Sequence, residues 1–413
     1  MSRIILHCDM NNFYASVECV MHPELKGRPI AVCGDSEDRH GIVLAKNYIA
    51  KEYGIRTAET VCNAVKKCPE LVMIPPHFEE YMKYSRLARE IYGRYTPLVE
   101  PFGLDECWLD LTGRCKGEQD GVRIGNEIKS IIRRELGLTV SVGVSFNKVF
   151  AKLGSDLKKP DAVTLIPKNG FLSIIGGLPV SELIGVGGST GEMLGRYGIF
   201  TVKQLSSFSK GMLGQMLGKC GEELWYNANG LDISPVTQRD PETVDKSVGN
   251  GITAPTDIES RDDVWRVMLG LANEVGHRLS ENGKRAASVS IQIKDNELSV
   301  KQWQCPLECP TQSPYMIAKQ AFRLFCDSYS WRRPIRAVSV RAINLVSDAE
   351  PSQVSFFKNT AHVINEQSER LGRTVEGIRG RFGDEIIRNA ITLDKSKLPR
   401  HKIPNTLPGG VRK

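Results

Sequence analysis

No run of about 18 uncharged apolar residues occurs in this chain, so no membrane-spanning helix is expected. An acid, Asp9, arrives too early for the apolar stretch of a secretory leader, and a cytoplasmic location is the expectation. Cysteine is sparse: 11 in 413 residues are too few for a disulfide scaffold. Cys305 and Cys309 form a C-x3-C pair, but no second pair or histidine follows at zinc-site spacing, so reduced thiols are expected. Neither sign of charge dominates. Lys plus Arg number 55 and Asp plus Glu 48, and the resulting +7 permits a polyanionic partner without requiring one. Long internal repeats are also missing. What is present is ordinary globular composition, 41% hydrophobic and 25% charged, which argues against global disorder. At about 150 residues per domain, the length predicts two to three domains.

Residues 1–170 alternate short apolar runs with helix-compatible stretches. Ile4 to Cys8 reads as a strand and Asn12 to Val20 as a helix. Short strands are expected at Pro29–Cys33, Gly41–Ala45 and Leu71–Ile74, with a helix from Asn47 to Tyr53 stopping at Gly54. A long helix follows through Tyr92. Leu98–Phe102 and Cys107–Leu111 then flank Gly103-Leu104-Asp105-Glu106, a hairpin with two acids at its turn. Ile124, Ile128, Ile131, Ile132 and Leu136 fall at helical spacing, ahead of a strand from Leu138 to Val144. That order suggests a split βαβ sheet with its helices on one face, interrupted by an insertion from about Phe13 to Ile74. Residues 171–231 are Gly-rich and helical in pattern, and 232–245 read as a linker. A second α+β unit begins at Lys246. Its strand Ala287–Lys294 alternates apolar odd with polar even positions, so one sheet face is buried. The tail from Asp394 has no periodicity and is expected to be disordered.

Three acids carry the candidate chemistry: Asp9 after the first strand, and Asp105 and Glu106 on the hairpin. Taken alone, Asp105-Glu106 reads first as a polar turn. Should those strands be neighbours, however, the three carboxylates converge. Such a cluster repels itself unless cations neutralise it, and hard oxygen donors suit Mg²⁺. Two ions about 4 Å apart would assist in-line displacement at phosphorus.

Three ordered motifs sharpen that reading: Cys8 to Glu18, Glu100 to Glu106, and Ser141 to Lys148. Together they resemble the Y-family translesion DNA polymerases, and the resemblance runs to about residue 390. It implies an α+β multidomain fold, a right-hand polymerase with a ferredoxin-like palm (1–12 and 75–170) and small fingers (13–74). A helical thumb with a helix-hairpin-helix (171–231), a linker (232–246) and a βαββαβ little finger (247–346) would follow. The remainder, 347–413, would hold a clamp-binding peptide and the disordered tail. By the same resemblance Asp9, Asp105 and Glu106, with the Met10 carbonyl, hold two Mg²⁺ ions. Tyr48, Lys51 and Lys159 match triphosphate-binding positions, and Tyr14 the steric gate that excludes a 2′-hydroxyl by shape. Lys51 stands where many relatives carry Arg, a point charge in place of a fork. A packed aromatic is the competing reading for Tyr14 and Tyr48.

Gly185 and Gly187, in Leu183-Ile184-Gly185-Val186-Gly187, resemble a hairpin that meets a DNA phosphate through backbone N–H groups. Ser288, Ser290, Lys294 and Arg341, with Arg332 and Arg336 nearby, would contact phosphates without reading bases, and a solvated face is the alternative. Gln353, Phe356 and Phe357 resemble a sliding-clamp peptide, against which stands an ordinary buried strand. The implied activity is low-fidelity, template-directed DNA synthesis across damage without proofreading, by a monomer acting on primer-template DNA and deoxynucleoside triphosphates. A metal-dependent phosphodiester hydrolase would use the same acids but gives no reason for Tyr14. A silent, clamp-associated DNA-binding module gives none for the acids.

Overall fold

The first strand, β1 (Ile5–Met10), is buried at every position because both of its faces are covered. The computed structural model describes residues 3–34, 41–238, 246–350, 360–383, 386–387 and 389–392, which fall into two units, the described residues up to 238 and those from 246 on. In the first unit β1 is followed by α1 (Phe13–Met21), then by an insertion of β2 (Ile30–Cys33), β3 (Val43–Lys46), α2 (Tyr48–Glu52), α3 (Val61–Lys67) and β4 (Val72–Ile74). The chain returns as α4 (Phe78–Gly93), the hairpin β5 (Val99–Pro101) and β6 (Glu106–Asp110), α5 (Glu118–Leu136), β7 (Val140–Ser145), α6 (Lys148–Leu157) and β8 (Val163–Leu165).

The main sheet has the order β5-β6-β1-β7-β8, with β1 antiparallel to both neighbours. Strands β5, β6, β1 and β7, with α4 and α5, form the expected split βαβ arrangement. Alternation along β1 sends Leu6, Cys8 and Met10 into a core shared with Ile91 of α4 and Ile128 of α5. His7 and Asp9 therefore lie on the opposite face, where Ile5 packs with Trp108 and with Ala151 of α6. Helix α6 and strand β8 extend the sequence expectation: α6 covers the second face and β8 adds a parallel fifth strand.

The insertion is a small sheet, β3-β2-β4, with its own core of residues such as Val43, Ala50 and Ile55. Phe13 and Val17 of α1 pack instead into the main core. Beyond the sheet come α7 (Phe171–Ile175), α8 (Gly188–Arg196), α9 (Val202–Ser207), α10 (Lys210–Leu217) and α11 (Lys219–Ala228). Their core includes Phe150 and Leu153, so α6 is packed on both sides. The first part of the expected linker is not loose. Val236 is buried beside Trp108, and the Thr237 N–H donates to Glu100 Oε2 at 3.0 Å.

The second unit runs β9 (Ser247–Ile258), α12 (Arg261–Glu281), β10 (Lys284–Asp295), β11 (Val300–Thr311), α13 (Pro314–Ser328), β12 (Ile335–Ser347) and α14 (Thr360–Phe382). The element order is the βαββαβ expected, and the strands lie β11-β10-β12-β9, all antiparallel to their neighbours. Val289, Ile291 and Ile293 face the helices, as the alternation requires. The clamp-like segment Gln353–Phe357 and the tail from Asp394 lie outside the described residues.

Candidate active site

Asp9 is the cross-strand partner of Glu106 on β6 and of Ser141 on β7, so strand register alone unites two acids 97 positions apart. Asp105 immediately precedes β6, and its carbonyl accepts the Met10 N–H at 3.1 Å. The Met10 side chain is buried in the core, so only its own carbonyl is available to a site. The three expected acids thus meet at one end of the β1–β6 pair.

Their charges are balanced unequally. Lys159 Nζ lies 2.7 Å from Asp9 Oδ2 and 2.6 Å from Asp156 Oδ1. Lys152 Nζ lies 2.6 Å from Glu106 Oε2. Burial would push the Glu106 carboxyl up, but His7 and Lys152 outweigh it and hold it at about 2. Burial raises Asp9, opposed by Lys159. Asp105 is pushed up to about 7, first by burial and then by the charges of Asp9 and Glu106. A buried carboxyl crowded by two like charges is one that a cation would relieve. The donors are hard oxygens reachable from solvent beside Asp105, a set that fits a divalent cation such as Mg²⁺.

Two residues here escaped the sequence reading. His7 is fully buried, with Nε2 3.2 Å from Glu106 Oε2 and Nδ1 2.8 Å from Ser155 Oγ. Burial holds its imidazole below the ordinary histidine value, so it is neutral at pH 7. Strand alternation was the available signal for His7, since it shares a face with Asp9. Lys152 had no comparable signal, because its role depends on how α6 crosses the sheet.

Tyr14 is half-buried in the first turn of α1. Its ring stacks on Tyr81 with centroids 4.3 Å apart and planes 9° apart, and Phe78 meets it edge-on. Tyr81 donates to the buried carboxylate of Glu18, which His77 Nδ1 also approaches at 3.0 Å. Burial raises the Tyr14 phenol, and so does the charge of Asp105. Tyr48 opens α2, whose N-cap Asn47 accepts from the Ala50 N–H at 2.9 Å. Burial raises its phenol, and it feels both Lys159 and Asp9. Lys51 sits beside it, Nζ 5.7 Å from the ring, and is exposed. Lys159 thus contacts the acids directly, Tyr14 and Tyr48 feel their charge, and Lys51 lies exposed beside Tyr48.

At the expected DNA-facing positions the outcome is mixed. Gly185 has φ +94°, a backbone that favours glycine, and Gly187 is the N-cap of α8. Ile184 turns inward toward the Trp108 cluster, which holds the hairpin in place. In the second unit Ser288, Lys294 and Arg341 line the sheet face away from the helices, and Arg332 is exposed. Arg336 lies at the start of β12. Ser290 is a correction: it is 3% exposed, and Gln302 Nε2 donates to its Oγ at 3.1 Å, so it is covered rather than offered to a phosphate. Among the described residues no helix is long and apolar enough to cross a membrane.

Comparison with known proteins agrees with this geometry. Residues 8–156 match the impB/mucB/samB family and residues 245–356 that family's C-terminal domain. A protein named DNA polymerase IV from Acetivibrio thermocellus is 48% identical, over 97% of this chain and 100% of its own. Another, DNA polymerase IV 1 of Bacillus subtilis, is 34% identical over 96% of this chain and 94% of its own. A solved Y-family DNA polymerase chimera shares the fold with a TM-score of 0.73 at 22% identity, covering 83% of this chain and 99% of that one.

Proposed function

The chain belongs to the impB/mucB/samB family, that of the Y-family polymerases, and is a DNA-directed DNA polymerase of the translesion kind that uses divalent metal ions; from that premise we propose how its own residues carry the reaction. The observation that carries the proposal is the meeting of Asp9, Asp105 and Glu106 at one strand end, with the Asp105 carboxyl pushed up to about 7 by burial and by the charges of the other two.

Those three carboxylates and the Met10 carbonyl hold two Mg²⁺ ions. When bound, such ions stabilise the attacking and leaving oxygens of in-line displacement at phosphorus. The chain's side chains do the rest. Lys159, now paired with Asp9 and Asp156, supplies a cation to the triphosphate, joined by Tyr48 and, as a point charge, by Lys51. Tyr14, backed by the Tyr81 ring, presses against the sugar and excludes a 2′-hydroxyl by shape. The five-stranded sheet with its helices is the palm, the β3-β2-β4 layer the fingers, residues 171–231 the thumb and the second unit the little finger. The backbone N–H groups at Gly185 and Gly187, and Ser288, Lys294, Arg332, Arg336 and Arg341, meet DNA phosphates without reading bases. Synthesis is of low fidelity and lacks proofreading. The protein works as a monomer in the cytoplasm, the first of which sedimentation checks.

Primer extension on a defined template with Mg²⁺ tests the site. Wild type extends with deoxynucleotides, and Asp105→Ala loses on the order of 100-fold or more, the scale of removing one charge-stabilising group. In the same assay Tyr14→Ala accepts ribonucleotides. Undiminished extension by Asp105→Ala rejects the metal-site assignment. The Gln353, Phe356 and Phe357 peptide binds a sliding clamp through its paired aromatics. Deleting 353–357 is expected to leave basal synthesis intact and abolish clamp stimulation; equal stimulation in the deletion rejects this peptide.

A further inference from the structure

We propose that Asn11 is a positioning residue for nucleotide binding: its side chain holds the backbone turn that carries Lys159, and so sets where that ammonium stands between the acids and the triphosphate. This rests on the triphosphate role proposed for Lys159 and adds the residue through which the end of β1 governs it. Asn11 Oδ1 accepts the Asp161 N–H at 2.9 Å, and Lys159 Nζ lies 2.7 Å from Asp9 Oδ2. Each contact spans 150 positions, so residues 9 and 11 meet 159 and 161 rung for rung.

Asn11 is 2% exposed, and its backbone and side-chain polar groups are all engaged. Its N–H donates to the Thr139 carbonyl at 2.9 Å, which extends the β1–β7 pairing one residue past Met10. Its carbonyl accepts from Ser16 Oγ at 2.6 Å, and its Nδ2 donates to Ser141 Oγ at 2.8 Å. With the nitrogen end of the amide committed to β7, the oxygen end is aimed at Asp161. An apolar side chain of similar size would leave that N–H without its acceptor in a half-buried place, which is costly.

The turn needs such an outside hold. Asp161 has φ +55°, a left-handed backbone that L side chains rarely adopt and that neighbouring contacts must fix. Helix α5 supplies part of that hold, with Arg133 on the Asp161 carboxylate and Lys129 Nζ 2.9 Å from its carbonyl oxygen. Those contacts tie the turn to α5, whereas the Asn11 bond ties it to the strand end that carries Asp9. Lys159 bridges Asp9 and Asp156, with Nζ 2.6 Å from Asp156 Oδ1. When a triphosphate binds, the ammonium reaches it by side-chain rotation over a backbone already fixed. That prior anchoring lowers the ordering cost of binding.

Steady-state primer extension by the full chain, in a double-mutant cycle, is the test. Lys159→Ala alone should raise the KM for deoxynucleotide; an unchanged KM there rejects the triphosphate role of Lys159 and this inference with it. Asn11→Ala is expected to raise the deoxynucleotide KM about 3- to 10-fold, the scale of one hydrogen bond, with the KM for primer-template unchanged. Added to Lys159→Ala, it should change kcat/KM for deoxynucleotide by less than about twofold, since the group it positions is gone. The same factor in both backgrounds would mean that Asn11 supports the fold rather than Lys159, and overturns the proposal. An unaltered KM in Asn11→Ala, beside a raised one in Lys159→Ala, overturns it while leaving the triphosphate reading standing. Hydrogen exchange on the wild type needs no variant to fold: the Asp161 amide should be protected, and exchange as fast as that of an open loop removes the bond on which the proposal stands.

Discussion

Asp9 leans on Lys159 and Glu106 on Lys152, whereas no cation among the described residues lies within ion-pairing distance of Asp105. Burial and its two charged neighbours raise its carboxyl to about 7, against an ordinary value near 4. A raised carboxyl pKa means that the folded chain binds a proton which the unfolded chain releases earlier. In metal-free protein, stability from this group is therefore present below about pH 4 and lost as pH climbs to about 7. Glu106 has the opposite sign, but it titrates below that window and is common to any comparison at Asp105. With a chelator present, Asp105→Asn should stabilise the chain at pH 8 by about 1 kcal/mol, or about 2–4 °C in Tm for a domain of this size. The gain should vanish near pH 4. Thermal melts at both pH values check it, and a pH-independent gain would mean that charge is not the cause. At the proposed metal site the same crowding would become useful, since a bound cation would relieve it.

Gly143 lets α6 lie against the sheet. A Cβ there would stand 1.8 Å from the Ala151 carbonyl oxygen and 2.5 Å from the Ser155 nitrogen, so backbone would have to move. The helix that would shift carries Lys152 and Ser155 and leads to Lys159, all part of the site. Gly143→Ala is therefore expected to cost about 1–3 kcal/mol of stability or more, and to reduce primer extension even at temperatures where the variant stays folded. Gly177→Ala, with open space around its position, is the control and should stay within about 0.5 kcal/mol of wild type. Denaturant melts and extension rates on both variants decide it, and a Gly143→Ala enzyme as active as the control refutes the close-approach argument. This crossing also marks where the sequence stops being legible. The acidic hairpin, the first strand and the alternation in β10 could be read locally, because period and turn residues are local properties. Lys152 could not, since its partner lies 46 positions away across a helix placement, and for His7 alternation reaches the shared face with Asp9 but not its partner Glu106, 99 positions away through register. The pairing of β10 with β12 was hidden for the same reason: one βαββαβ order admits several strand arrangements, and long-range packing selects among them.

At the scale of the whole chain, a net charge of +7 is modest for a protein that must hold a polyanion at any sequence. Placement of charge then matters more than its sum. Arg333 is spent within its own unit, with Nη1 2.7 Å from Glu297 and 3.6 Å from Asp295. Arg341 is exposed on the sheet face away from the helices, and on neighbouring β9 it is opposed by Gly249, whose lack of a side chain leaves room for the arginine stem. Ser339 and Gln292 continue that polar face, which offers hydrogen bonds and charge. An arginine that neutralises one phosphate releases about one counterion, contributing about 0.9 to the slope of log affinity against log salt. Arg341→Gln should therefore flatten that slope by about 1, and by the same amount on duplexes of unrelated sequence. Arg333→Gln should leave it unchanged, because its charge is already matched by two carboxylates. Fluorescence anisotropy of labelled primer-template across a salt series measures both. Equal slopes for wild type and Arg341→Gln would remove this face from the DNA contact, and a sequence-dependent change would show that it reads bases.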